Sequence, residues 1–269
     1  MLEQAKGIRV KESSYCEAIK YLSSLVCTLC EAKGMITSMK RILLKLSGEA
    51  LAGDKKMGFD EPTVTAVARQ VKEIVDSGVQ VGVLIGGGNF WRGRTSKTID
   101  RTKADQIGML ATVMNCIYVS EIFRSIGMGT EVFTPFQCAA FTELFSKDKA
   151  LTALNAGKVV FFAGGIGHPY FSTDMGTVLR AIEIEADMIL SARAIDGVYD
   201  SDPKLNKDAK KYDTIPIKEV VDKQLGIMDL AAAVLCMENK MPMTIFGLNE
   251  ENSIINTVKG HSNGTVITV

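Results

Sequence analysis

Histidine is almost absent from this chain, which has only His168 and His261 among its 269 residues. We therefore do not expect a metal site built from several histidines or a serine–histidine–aspartate triad. An excess of one charge is also lacking, because 31 Lys and Arg residues balance 31 Asp and Glu residues. A dedicated nucleic-acid-binding protein normally carries a basic excess, so we expect no nucleic-acid partner. The hydrophobic share of 46% is typical of a globular protein.

A disulfide framework and a membrane span are missing as well. The 6 cysteines show no framework spacing, and we interpret them, the C-x-x-C pair Cys27 and Cys30 included, as reduced thiols. The apolar run over residues 21–30 is shorter than the roughly 20 residues that span a bilayer. No A-x-A cleavage site follows that run. The sequence therefore predicts a cytoplasmic protein with no membrane segment.

Residues 1–38 differ in pattern from the rest of the chain. Met39 stands just before the first strong strand pattern, which begins at residue 41. We expect residues 1–38 to be an N-terminal extension that is dispensable or disordered. Residues 39–269 contain no internal repeat and no Ser/Pro-rich linker, so we expect them to form a single domain.

Strand-like apolar runs alternate with amphipathic helical patterns from residue 41 to the end. Strands are predicted over 41–46, 79–85, 130–134, 159–163, 187–190, 242–246 and 265–268. Helices are predicted over 61–77, 103–125, 139–155, 174–186, 217–223, 228–239 and 251–258. Strands separated by helices predict an α/β fold, a three-layer α/β/α sandwich around a mainly parallel sheet.

Glycine follows three of the predicted strands, at residue 48, at residues 86–88 and at residues 164, 165 and 167. In an open parallel sheet, ligands bind outside the C-terminal ends of the strands, so these loops are expected at one edge. Glycine lets backbone N–H groups approach a phosphate closely, and Lys45 and Arg92 stand nearby in sequence. Together these features favour an anionic, phosphate-bearing ligand, although a glycine after a strand is more often only a turn.

The usual phosphate-binding signatures do not occur in this sequence. It has no G-x-x-x-x-G-K-[ST] run, which excludes a P-loop NTPase. It has no H-R-D and D-F-G set, which excludes a protein kinase, and no G-x-G-x-x-G after a strand.

Carboxylates at predicted turns and helix starts are the candidate partners of Mg²⁺ in phosphoryl transfer. Asp174 and Asp229 each stand at the start of a predicted helix and are alternatively explained as N-caps. Residues 196–203 are rich in turn-forming acids that are alternatively explained as solvated turn residues. Asp105 lies early in the helix after Arg92, where it is placed to bind a ribose hydroxyl.

Seven motifs stand in the order found in bacterial uridylate (UMP) kinases, and residues 40–269 closely resemble that family. They are K-R-I-L-L-K-L-S-G-E-A-L at 40–51, V-G-V-L-I-G-G-G-N-F-W-R-G at 81–93, M-L-A-T-V-M-N at 109–115, H-P-Y-F-S-T-D at 168–174, I-E-I-E-A-D at 182–187, D-G-V-Y at 196–199 and M-D-L-A-A at 228–232. In the family's A-G-T-G-N-P segment, this chain has Ile166 in place of Thr and His168 in place of Asn.

This resemblance implies the amino-acid-kinase fold and the reaction MgATP + UMP → ADP + UDP, a step of de novo pyrimidine nucleotide (CTP) synthesis. It implies Mg²⁺ with ATP as the cofactor, and a homohexamer as the assembly. Many members respond to GTP and UTP, so both are expected effectors, and residues 53–58 match the region tied to the GTP response. Because the acceptor is a phosphate oxygen already ionised at pH 7, no general base is needed, and scarce histidine is no obstacle.

The resemblance also implies which residues bind each nucleotide. For ATP they are Lys45, Leu46, Ser47, Gly48, Gly88, Arg92, Arg193, Tyr199 and Asp202. For UMP they are Gly87, Asp105, Ile166, Gly167, His168, Pro169, Tyr170, Phe171, Ser172 and Thr173. Lys45 is expected to neutralise the transferring phosphoryl group, Arg92 to grip phosphate oxygens and Asp174 to orient Lys45. Asp229 is expected near Mg²⁺.

Two alternatives stay open at this stage. Another kinase of the same superfamily would act on carbamate, glutamate, aspartate or N-acetylglutamate instead of UMP. A non-catalytic nucleotide sensor on the same fold would bind the nucleotides without turnover.

Overall fold

The computed structural model of the protein describes residues 39–55, 57–92 and 98–269. The predictions on residues 1–38, including the Cys27 and Cys30 pair, lie outside the described residues. Within the described part, Met39–Val269 forms one unit with its own cores.

A nine-stranded sheet forms the centre of this unit. The strands of the unit are β1 Arg41–Leu46, β2 Gln80–Ile85, β3 Thr130–Thr134, β4 Glu143–Leu144, β5 Val159–Phe162, β6 Met188–Arg193, β7 Val198–Tyr199, β8 Lys211–Tyr212, β9 Thr214–Pro216, β10 Met243–Gly247 and β11 Thr265–Thr268. The sheet order is β4-β3-β5-β2-β1-β6-β10-β11-β9, and β7 pairs with β8 in a separate antiparallel ribbon. Within the nine-stranded sheet only the β10–β11 pairing is antiparallel.

Helices cover both faces of the sheet, which confirms the predicted three-layer α/β/α architecture. They are α1 Gly48–Leu51, α2 Glu61–Asp76, α3 Arg101–Ser125, α4 Lys147–Asn155, α5 Thr173–Glu183, α6 Ile217–Asp222, α7 Leu230–Glu238 and α8 Ser253–Val258. One core cluster joins the sheet to α2, α3 and α8, and a second joins it to α4, α5, α6 and α7. Each helix thus buries its apolar stripe against the apolar strands, which are covered on both faces.

The sequence was expected to contain no segment long and apolar enough to span a membrane, but helix α3 is such a segment. Its 25 residues pass that test by length and composition alone. The apolar residues of one face, including Cys116, Val119 and Phe123, are fully buried against the sheet. The helix therefore packs one face into the core of the sandwich, and 44% of its most apolar window is buried in this way.

The prediction of a helix over residues 139–155 was wrong in its first half. Residues 143–144 form β4, which pairs with the end of β3, and Ala139 has a left-handed φ of 49°. The helix begins only after Ser146, whose hydroxyl accepts a hydrogen bond from the Lys149 N–H at 3.2 Å. An N-cap of this kind sets the start of a helix more firmly than the apolar spacing before it.

Candidate active site

The first two glycine loops meet at the C-terminal edge of the central strands. Strands β1 and β2 are parallel neighbours, and Leu46 is in register with Ile85. A Cβ on Gly48 would lie 2.5 Å from the side-chain oxygen of Asn89 and closer still to the carbonyl oxygen of Gly86. Only glycine lets the two loops approach each other this closely. The two loops therefore form one continuous backbone wall, as the sequence prediction of a shared edge requires.

Lys45 projects from the end of β1 into a cluster with Asp174 and Arg193. Its ammonium group forms an ion pair with the Asp174 carboxylate, and Arg193 Nη2 donates to the same Asp174 oxygen at 3.2 Å. The Lys45 and Asp174 side chains are only 10% and 16% exposed. Burial lowers the pKa of Lys45; attraction to Asp174 opposes this shift and repulsion from Arg193 adds to it. The cluster concentrates two positive charges and one negative charge at the strand ends.

Two helix starts are joined beside this cluster. Ser172 is the N-cap of α5, because its hydroxyl oxygen accepts from the Asp174 N–H at 3.1 Å. The same hydroxyl donates to the carboxylate of Asp229, which is itself the N-cap of α7 and accepts from the Ala232 N–H at 2.8 Å. The N-cap explanation therefore applies to Asp229 but not to Asp174, which lies in the first turn of α5. Because Asp174 makes no cap, its carboxylate is turned to Lys45 and Arg193 instead.

A cleft of about 1100 Å³ opens in front of the glycine wall. Its lining includes most residues that the resemblance assigns to ATP, which are Lys45, Ser47, Gly48, Gly88, Arg193, Tyr199 and Asp202. Gly87 and Thr173, assigned to UMP, also line it. Leu46 is fully buried and is not part of the lining. The Asp202 carboxylate also stabilises the turn in which it lies, because it accepts a hydrogen bond from the Lys204 N–H at 2.9 Å.

Arg92 lies outside this lining, and its guanidinium forms an ion pair with Glu49 in α1. Glu49 itself lines the large cleft, directly beside Gly88. The pair therefore places the predicted phosphate-gripping arginine at the rim of the glycine wall.

A smaller cleft of about 400 Å³ adjoins the large one. Three residues assigned to UMP, which are Asp105, Phe171 and Ser172, line it together with Asp174 and Asp229. The other five assigned to UMP, Ile166, Gly167, His168, Pro169 and Tyr170, occupy the turn after β5 and line neither cleft. This turn contacts the smaller cleft through Tyr170, whose N–H donates to Asp105 Oδ2 at 2.8 Å and whose ring centroid lies 5.3 Å from the Arg101 guanidinium carbon.

Four charged residues that line the clefts, Glu49, Arg101, Lys204 and Lys223, were missed in the sequence. Arg101 lines the smaller cleft, and its Nε donates to Asp105 Oδ2 at 2.7 Å. The signal was the four-residue spacing from Arg101 to Asp105, which places both on one face of a helix. For Glu49 the signal was its position in the first helical turn after the Ser47-Gly48 loop.

Metal binding at this site depends on few protein ligands. Among residues 39–55, 57–92 and 98–269, no group of three or more His, Cys, Asp or Glu side chains is placed to hold a metal ion. Three carboxylates line the smaller cleft, which are Asp105, already paired with Arg101, and Asp174 and Asp229. Mg²⁺ usually binds one or two carboxylates together with substrate phosphates and keeps several waters. The donor set therefore fits a Mg²⁺ ion that arrives with a nucleotide.

Known proteins resemble this chain over most of its length. The model of the amino acid kinase family matches residues 40–247. The UMP kinase of Bacillus anthracis is 36% identical, with a TM-score of 0.82 over 86% of this chain and 96% of that one. The UMP kinase of Ureaplasma parvum is 31% identical, with a TM-score of 0.81 over 86% and 99% of the two chains. The uridylate kinase of Archaeoglobus fulgidus is 26% identical, with a TM-score of 0.68 over 84% and 99%.

Proposed function

We propose that this chain, which belongs to the amino acid kinase family, is a UMP kinase that transfers the γ-phosphoryl group of ATP to UMP. The observation that carries the proposal is the junction of the two clefts. Arg193, Gly226 and Ile227 line both clefts, while Lys45 lines the larger and Asp174 the smaller. A phosphoryl donor in the larger cleft and an acceptor in the smaller one would therefore meet at the Lys45–Asp174–Arg193 cluster.

The chemistry of this junction suits phosphoryl transfer between phosphates. The acceptor oxygen of UMP is ionised at pH 7, so the chain needs no general base. Catalysis then depends on positioning and on neutralising the charge of the phosphoryl oxygens. Lys45 and Arg193 supply positive charge, and the backbone N–H groups of the two glycine loops supply further donors. Asp174 holds both cations in place.

Asp174 and Asp229 are the residues that would hold Mg²⁺ together with the phosphates of ATP. The bound ion neutralises charge on the phosphate oxygens. The pairing of Asp229 with Ser172, and of Asp174 with Lys45 and Arg193, keeps both carboxylates directed to the smaller cleft.

The remaining roles follow the family resemblance. Asp105 would bind the ribose of UMP, since Arg101 and the Tyr170 N–H both donate to its Oδ2 and neither bond uses Oδ1. Arg92 would bind phosphate oxygens after leaving Glu49. The turn over residues 166–170 would complete the UMP pocket from the side of Asp105. UDP made in this way supplies the synthesis of pyrimidine nucleotides such as CTP.

An exposed apolar stripe on α3 supports self-association of the chain, and the family resemblance gives a homohexamer as the assembly. Four large side chains on one helical face are 39% to 53% exposed, and they are Ile107, Leu110, Met114 and Ile117. A contiguous exposed apolar face of this kind marks a protein–protein contact. Leu110→Lys should lower the molar mass measured by light scattering, whereas an unchanged mass would place the contact elsewhere.

The nucleotide effectors are a separate point, and activation by GTP and inhibition by UTP stay predictions from the resemblance.

The test of the proposed function is ADP release with MgATP and a panel of acceptors. We expect turnover with UMP, and little or none with CMP, dTMP, carbamate or glutamate. Turnover with carbamate or glutamate instead would support another kinase of the family. Tight binding of UMP without ADP release would support the non-catalytic sensor.

A further inference from the structure

Two buried asparagines form a reciprocal amide pair behind the second glycine loop. Asn89 ends this loop and is 2% exposed, and Asn115 lies in the middle of α3 and is fully buried. Asn115 Nδ2 donates to Asn89 Oδ1 at 2.8 Å, and Asn89 Nδ2 donates back to Asn115 Oδ1 at 3.1 Å. Neither side chain lines the clefts described above.

The pair is bonded to the backbone on both sides. Asn115 Nδ2 also donates to the carbonyl oxygen of Gly86 at 2.7 Å. Asn89 Nδ2 donates to the carbonyl oxygen of Gly58 at 2.9 Å, and the Gly58 N–H donates to the Asn89 carbonyl at 3.2 Å. The first and last residues of the loop over residues 86–89 are thus both held, one by α3 and the other by the segment before α2.

The two residues between these anchors, Gly87 and Gly88, form the wall of the large cleft. The loop also presses on the first glycine loop, because Gly48 has no room for a Cβ beside Gly86 and Asn89. A shift of residues 86–89 would therefore move both backbone surfaces that face the phosphates. Backbone N–H groups bind an anion only while their direction is held.

We propose that Asn115 is a positioning residue for phosphoryl transfer, acting through Asn89 and Gly86 on the backbone of Gly87 and Gly88. The inference rests on the proposed function, because the positioned groups are those assigned to the two phosphates. An amide pair suits this task better than an apolar contact, because its donors and acceptors match in only one arrangement. Leaving one of these buried groups unpaired is costly, so the loop is held in a single position.

The first test compares the steady-state kcat of Asn115→Ala with that of Ser120→Ala, both measured on the full chain. Ser120 is the matched control, since it is a buried polar residue of the same helix whose hydroxyl donates to Ile117 O at 2.9 Å, away from the loop. We expect N115A to lower kcat about 10²-fold, the scale for a catalytic group displaced by about 1 Å. S120A should keep kcat within about twofold of wild type, as for substitutions outside the positioned groups.

The second test uses the pH profile of kcat in Asn115→Asp, expressed per folded protein. The folded fraction is measured at each pH, because a buried carboxylate also destabilises the fold as the pH rises. An ionised Asp has no proton to donate to Gly86 O, whereas a protonated Asp has one. Burial raises the pKa of a carboxyl group, so lowering the pH from about 8 to about 6 should raise N115D activity relative to wild type. The adjacent Cys116 thiol stays neutral over this range, because burial raises its pKa to about 12.

Wild-type kcat in N115A, or a loss equal to that of S120A, would overturn the proposal. So would an N115D defect that does not change with pH. If N115A does not fold, Asn115→Ser provides the same comparison, because its hydroxyl retains one donor. The dissociation constant for ADP, measured by calorimetry, does not depend on turnover and applies even if the wild type fails to phosphorylate UMP. Weaker ADP binding in N115A than in S120A would still support the positioning role. Equal ADP binding in the two variants would contradict it.

Discussion

Lys45 and Asp174 form a partly buried ion pair although 129 positions separate them in the sequence. The pair joins the end of the central strand β1 to the first turn of α5. Arg193, at the end of β6, donates to the same carboxylate. Because β6 is the other neighbour of β1, the sheet order brings all three side chains to one point of its C-terminal edge. This point is where the two clefts adjoin.

Asp174→Asn keeps the size of the side chain and removes the charge that holds both cations. We expect kcat to fall roughly 10²-fold or more, because Lys45 and Arg193 lose the group that orients them toward the phosphoryl oxygens. The measurement is steady-state ADP release with saturating MgATP and UMP. Asp76→Asn is the control, since Asp76 forms an exposed i,i+4 pair with Lys72 at the end of α2 and lines neither cleft. Equal kcat in D174N and D76N would remove Asp174 from the catalytic cluster.

The alkaline side of the pH profile should report the protonation of Lys45. Only the charged ammonium neutralises phosphate oxygens, and its charge is lost as the pH rises through its pKa. Burial lowers that pKa from the ordinary value of 10.5, so kcat/KM for MgATP should decline at a pH below 10.5. In Lys45→Arg the residual activity should persist to higher pH, because a guanidinium does not lose its proton in this range. Identical alkaline limbs in wild type and K45R would assign the limb to another group.

Arg101 and Asp105 should act on UMP as one unit. Arg101 donates to Asp105 Oδ2, so removing either residue disturbs the same carboxylate. We expect Asp105→Ala to raise the KM for UMP more than the KM for MgATP, as a ribose contact made equally in ground and transition states would. Arg101→Ala should raise the same KM, and the double variant should be little worse than D105A alone.

The control for this cycle is Arg124→Ala at the far end of the same helix, where Arg124 donates to Thr130 Oγ1 at 2.6 Å. R124A should leave the KM for UMP unchanged. Two single effects that simply add up would mean that Arg101 does not work through Asp105.

A shortened chain that begins at Met39 should retain full activity. Met39–Val269 forms a unit of its own, and its start is anchored where the Lys40 and Arg41 N–H groups donate to Asp187 Oδ2 at 2.7 and 2.9 Å. We expect unchanged kcat and an unchanged unfolding midpoint in calorimetry. An insoluble or inactive shortened chain would show that residues 1–38 are required.

Most of the fold could be predicted from the sequence, because its helices and core strands carry strong local patterns. The run over residues 79–85 and the apolar spacing over 61–77 each describe one element without reference to the rest. The short strands β4, β7, β8 and β9 could not be found, because two or three residues carry no readable period. The strand order was also out of reach, since it depends on pairings between distant segments.

The sequence likewise identified some residues of the candidate site but not the contacts between them. Lys45, Asp174 and Asp229 were identifiable because they stand in long motifs. The contacts that organise the site, such as Asn115 with Asn89 or Arg101 with Asp105, depend on how α3 packs beside the second glycine loop. The residues of the turn at 166–170 were assigned by motif alone, and the structure ties only its end at Tyr170 to the smaller cleft.

The most direct test of the account follows a labelled γ-phosphoryl group from ATP. The purified full chain is mixed with Mg²⁺, γ-labelled ATP and UMP, and the nucleotides are separated by chromatography. The account predicts that the label appears in UDP in the same amount as the ADP formed, and that omission of UMP abolishes ADP formation. Label that remains in ATP while UMP is bound, or that appears only in inorganic phosphate, would contradict it.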